Sequence, residues 1–134
     1  AMIVTLPEET PVTEAIELAA EFRSDIGLEL LPVVANACWP DRAGLAKTPA
    51  MAARSHKVKL SPATKAALAS SGEFGWARVE RQRHQLARLG SQVGEPIAML
   101  PRLPTPRLTI HQLGMLADAL VEPLVDPAEA GGAG

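Results

Sequence analysis

Few residues of this chain have the type and spacing that chemistry needs, and those few bind rather than react. Asn36 closes an almost uniformly apolar run, residues 30–35. Its amide carries a donor and an acceptor together, so it can satisfy strand-end backbone groups or read the edge of a ligand. Pro101-Arg102-Leu103-Pro104-Thr105-Pro106-Arg107 follows another apolar run and holds three prolines in six residues. Such a segment loses little entropy on ordering. Gly44-Leu45-Ala46-Lys47-Thr48 is a faint echo of a phosphate loop, but no glycine precedes the lysine and no strand leads into it. His56, His84 and His111 show no metal-ligand spacing and read as surface residues. Cys38 is the single cysteine, which excludes an internal disulfide and a cysteine-based metal cluster and reads as a small buried apolar residue. Glu8 and Glu9 precede a helical pattern and read as charges offsetting its N-terminal dipole. Arg102 and Arg107 face either a nucleotide, a partner or solvent. Trp76 reads as core, and Trp39 sits beside a proline in a loop.

The elements that must position these residues follow from periodicity. Residues 2–6 read as a short buried strand stopped by Pro7. Thr10 as N-cap and Pro11 at the first helical position open a helix with Val12, Ala15, Ile16, Ala19, Phe22 and Ile26 on one stripe. Gly27 ends it as a left-handed cap. Residues 30–35 form a second strand buried on both faces, the mark of a parallel sheet, with Pro32 awkward inside it. Residues 39–59 read as a loop with a short helix over 49–55, followed by a helix over 61–70 and a longer one over 73–89 closed by Gly90. In the longer helix Trp76, Val79, Leu86 and Leu89 form the inward stripe, broken by Arg83. Arg78, Arg81, Gln82, Gln85 and Arg88 lie opposite. Residues 96–100 form a third strand. Thr109 and Gln112 make a capping box for a last helix with Ile110, Leu113, Leu116, Ala117 and Leu120 inward. Residues 128–134 read as a flexible tail.

The pattern is one α/β domain over residues 1–127, a parallel sheet of about three strands flanked by helices, with a short helical insertion at about 40–90. Three strands leave at least one long edge unpaired. With a buried strand already at residue 2, this points to a missing partner sheet, supplied upstream or by a second subunit. The 134 residues carry a formal net charge of −2 and are 47% hydrophobic, with four aromatics and no Tyr, so the core is aliphatic. No apolar run reaches the roughly 18 residues of a membrane span. With no basic leader at the start, the expected compartment is the cytosol. Residues 39–110 hold twelve Lys or Arg against four acids, a local net of +8. Nucleic-acid binding would need aromatics interleaved with these cations, and they are missing, so a solvated helical face is the expectation. A different reading makes the basic helix over 73–89 the working surface of a stand-alone protein-interaction module.

Three stretches, taken in order, resemble one family. They are Val4-Thr5-Leu6-Pro7-Glu8-Glu9-Thr10-Pro11-Val12-Thr13-Glu14, then Pro32-Val33-Val34-Ala35-Asn36, then Pro96-Ile97-Ala98-Met99-Leu100-Pro101-Arg102-Leu103-Pro104. Their order and spacing are similar to the C-terminal part of ArsA-type ATPases, the arsenite-pump, tail-anchored-protein targeting and anion-transporting ATPases. The resemblance implies part of a larger, dimeric P-loop NTPase fold. It implies that Asn36 contacts the adenine of ATP, and that Leu100, Pro101, Arg102, Leu103 and Pro104 form the loop closing over the base. An amide matches adenine N6 and N7. The chain departs from the family where phosphates are held: it has no G-x-x-x-x-G-K-[ST] loop, no switch aspartates and no Cys-x-x-Cys. ATP hydrolysis by this chain alone is therefore not expected. Magnesium is expected only in a complete enzyme, whose phosphate site an upstream P-loop segment or a second subunit supplies in a homo- or hetero-dimer. The insertion is too short for a large client groove.

Overall fold

The computed structural model describes residues 1–42, 44, 47–105 and 107–125. Pro106 of the proline-rich segment and the expected tail lie outside the described residues. Three strands form one parallel sheet in the order β1 (Val4–Thr5), β2 (Val33–Cys38), β3 (Ile97–Pro101). Among the described residues four α-helices flank or connect them: α1 (Glu9–Glu21), α2 (Pro49–Ser55), α3 (Pro62–Val93) and α4 (Ile110–Val125). The expected α/β class with a parallel three-stranded sheet is what the chain adopts. The chain divides into two compact units, one built from residues 1–39 and 82 onward, the other from Pro40–Arg81.

The register explains the burial. Val4 pairs with Val34, and Val34 with Ala98; Val33 pairs with Ile97. Residues paired across a sheet share a face, and faces alternate along each strand. On one face Ile3, Val33 and Ile97 meet Val12, Ala15 and Ala19 of α1 and Leu89 and Val93 of α3. On the other, Val34 and Ala98 are buried and α4 packs along β3, whereas Val4 on the outer strand is 62% exposed. The core is aliphatic, as the composition requires.

Several local expectations need correction. α1 begins at Glu9, with Glu8 as an N-cap that makes no side-chain cap bond, so Thr10 lies inside the helix. A π-turn over Phe22–Ile26 extends α1 and ends on Gly27 at φ 67°, the expected left-handed cap. That wider turn rotates Ile26 away from the stripe, and it is exposed. β2 runs three residues further than expected, to Cys38, and leaves Pro32 just outside the ladder, where its missing N–H costs nothing.

The two helices expected over 61–70 and 73–89 are one, α3, running through Gly72 and Gly90 to Gly94 at φ 75°. A helical glycine weakens a helix by only about 1 kcal/mol relative to alanine, and 32 residues of ladder absorb it. Trp76 is partly exposed rather than core. In α4 the expected capping box forms, Thr109 N–H donating to Gln112 Oε1 at 2.8 Å and Gln112 N–H to Thr109 Oγ1 at 3.4 Å. Yet Ile110 is 90% exposed and Leu113 is also exposed. The inward side of α4 carries Leu116 and Leu120, half-buried, and buried Pro123. Among the described residues no helix is long and apolar enough to cross a membrane.

Candidate functional site

The carboxyl ends of parallel strands are where open α/β sheets hold ligands, and the chain gathers its candidate residues there. β2 and β3 stay paired to their tips: Cys38 is opposite Pro101, and the Arg102 N–H donates to the Cys38 carbonyl at 2.7 Å. Asn36 lies two residues before Cys38 and is exposed. The amide and the start of the proline bend thus occupy the same end of the same sheet. Leu100, Pro101 and Leu103 are half-buried, while Arg102 and Pro104 are exposed. Beyond them the Thr105 hydroxyl donates to the Arg107 carbonyl at 2.7 Å and accepts from the Arg107 N–H at 3.2 Å, bracing the turn into α4.

The tip of β2 is not a regular strand. The ladder is irregular between Ala35 and Cys38, and Ala37 has φ 57°. For an alanine the left-handed region costs roughly 1–2 kcal/mol. Part of that is offset by Asn36, whose Oδ1 accepts the Ala37 N–H at 2.8 Å. One acceptor position of Asn36 is thereby occupied locally. The Cys38 thiol donates to the Ala35 carbonyl at 3.3 Å and is buried. Burial pushes it up to about 11, so it stays protonated and is no nucleophile at neutral pH.

Immediately after the bulge, Trp39 is clamped. Its N–H donates to Gln82 Oε1 at 2.7 Å, and its carbonyl accepts from Gln82 Nε2 at 3.0 Å. Arg102 places its guanidinium 4.5 Å from the Trp39 ring centroid, a cation–π contact joining the ends of β2 and β3. Gln82 is the residue that sequence reasoning misplaced: it is buried, not on the exposed basic face. The signal was present. Val79, Gln82, Leu86, Leu89 and Val93 recur at spacings of three, four, three and four, and an amide on such a stripe implies a buried backbone partner.

The phosphate-loop echo does not form a cradle. Thr48 Oγ1 accepts the Met51 N–H at 3.3 Å as the N-cap of α2, and the Lys47 N–H donates to the Gly44 carbonyl at 3.2 Å. Leu45 and Ala46 lie outside the described residues. A hydroxyl spent on capping and a lysine with no strand-to-helix turn beneath it do not fit a magnesium–triphosphate site. No cluster of three or more His, Cys, Asp or Glu able to hold a metal occurs among the described residues. Known protein families include no model that matches the chain, and no curated protein matches it.

Proposed function

We propose that this chain is the adenine-side part of a cytosolic ArsA-type ATPase, in which ATP hydrolysis drives a conformational switch and residues outside the chain hold the phosphates and magnesium. The observation that carries the reading is the convergence of Asn36 with the bend over 101–104 at one end of the parallel sheet. An exposed amide on the same sheet end as a proline-stiffened, half-apolar segment suits a flat heterocycle: Asn36 orients its polar edge, and Leu103 and Pro104 cover a face. The base comes without its phosphates, because the threonine of the Lys47–Thr48 pair is committed to capping α2 and leaves no hydroxyl for magnesium there.

A partner structure is supported by what stays uncovered. β1 offers an outer edge with Val4 exposed, and α4 presents Ile110 and Leu113 to solvent. Apolar surface on an edge strand and on one helix face of the same unit is what a neighbouring sheet or subunit would bury.

Calorimetric titration of the whole chain with adenosine, AMP and magnesium–ATP tests the proposal. The three ligands should bind within about twofold of one another, because no affinity comes from phosphate. Guanosine should bind at least about tenfold more weakly, and Asn36→Leu should lose about tenfold for adenosine, one mispaired edge being worth about 1.4 kcal/mol. A folded chain that ignores adenosine, or that prefers ATP strongly, would end the reading.

A further inference from the structure

The Pro40–Arg81 unit contains a groove of about 710 Å³ that the nucleotide reading does not use. It lies within the roughly 300–1,000 Å³ typical of small-ligand sites. Ala53 of α2, Val58, Leu60, and Leu68, Ala69 and Trp76 of α3 make it apolar. Residues 68–76 alone give it a floor about 12 Å long at the helical rise per residue. Its polar lining comes from exposed side chains, among them Lys47, His56 and Glu73.

Two features shape the lining of this space. The first is Gly72, which lines the groove from the middle of α3. A Cβ there would meet no heavy atom within 4 Å, so no close approach of the protein itself calls for glycine. The helix accepts a weak position, and the volume beside it stays open. The second is the end of α2. Lys57 adopts φ 54°, and the Val58 N–H bonds the Ala53 carbonyl at 2.9 Å. A left-handed lysine is an unfavourable cap where glycine is usual, and it turns the chain so that Val58 lines the groove with Lys57 and Lys59 on either side of it.

Charge selects the occupant. The unit carries eight Lys or Arg against three acids, a net of +5, while the chain as a whole is at −2. Arg54, Lys57 and Lys59 are sequence neighbours of the apolar lining residues Ala53, Val58 and Leu60. A narrow apolar floor inside a cationic unit complements a molecule that is apolar along its length and anionic at one end. We propose that this groove binds a free single-chain amphiphile with an anionic head, such as a medium- or long-chain carboxylate. Its chain lies along Val58, Leu68 and Trp76, and its head is held by Lys47, the lysine of the lining. The site is independent of adenine binding.

Dodecanoate, kept below its aggregation threshold, is the probe, titrated into the full chain with tryptophan fluorescence as readout. Trp76 lines the groove and the chain's other tryptophan, Trp39, does not, so the titration is repeated in Trp39→Phe, where the emission comes from Trp76 alone. Saturable binding with a blue-shifted emission is expected, and dodecyltrimethylammonium should bind at least tenfold more weakly. Gly72→Leu fills the groove without a backbone clash and should abolish the response while the helical circular dichroism is retained. Lys47→Glu should weaken dodecanoate severalfold. The proposal is overturned by the absence of a saturable response, by equal binding of the cationic chain, or by unchanged binding to folded Gly72→Leu. It is also overturned if the chain binds only phosphatidylglycerol vesicles and Gly72→Leu leaves that binding intact.

Discussion

Replacing Gln82 by leucine tests how the end of β2 is held. The side chain is buried and spends both ends of its amide on the Trp39 backbone, at 2.7 and 3.0 Å. Leucine is close in size and sits on an otherwise aliphatic stripe, so packing changes little. What is lost is two hydrogen bonds to the Trp39 backbone, worth about 0.5–1.5 kcal/mol each. Trp39 is only half-buried, so water can reach part of that backbone. The expected destabilisation is therefore about 2–3 kcal/mol, at the low end of the roughly 2–6 kcal/mol for stranding two backbone groups. For a chain of this length that lowers the melting temperature by roughly 6–10 °C. Urea and thermal unfolding followed by circular dichroism would read it. Gln82→Glu keeps the acceptor for the Trp39 N–H but sets a carboxylate against the Trp39 carbonyl. It should be destabilised at pH 7 and recover part of the loss as acidification protonates it and restores a donor. If Gln82→Leu unfolds at the wild-type urea midpoint, the clamp contributes nothing and the account of the β2 tip is wrong.

Two further outcomes follow from the same strand end. Ala37→Gly removes the side chain from a left-handed position and should stabilise the chain by about 0.5–1 kcal/mol, the left-handed penalty less glycine's extra chain entropy, seen as a higher urea midpoint; a lower midpoint would contradict the geometry at Ala37. Cys38 is held up at about 11 in the folded chain against 9.0 when solvated, so between those values the unfolded thiol loses its proton while the folded one keeps it. Stability then falls as pH rises from about 9 to 11, by about 2–3 kcal/mol relative to Cys38→Ala, and remains whole below pH 9. Parallel pH profiles for the two proteins would refute the burial argument.

The sheet was legible because uniformly apolar runs have few alternatives: residues 33–35 and Ala98 are buried in paired parallel strands, although Leu31 and Met99 are left exposed. Gly27 and the Thr109–Gln112 box were legible because their signals are local and stereochemical. The single helix α3 is hidden in the sequence because glycine at 72 and 90 reads as a break, although a long helix tolerates it. The outward turn of Ile110 and Leu113 was hidden, since periodicity shows that a stripe exists but not that anything in the same chain covers it. In the candidate site, Asn36 and the bend over 101–104 could be named from pattern. Their company could not. Ala37's left-handed turn, the Gln82 clamp and the Arg102–Trp39 contact depend on register at the strand tips, and register is set by pairing between segments some sixty residues apart.

The outer strand sets a rule for assembly. Two identical copies joined through β1 about a two-fold axis would bring that strand against itself head to tail in direction, giving a six-stranded sheet whose polarity reverses at its centre. A sheet that continues with one polarity past β1 therefore requires a different sequence beside it, and the direction of whatever strand lies next to Val4–Thr5 distinguishes self-pairing from completion by another segment.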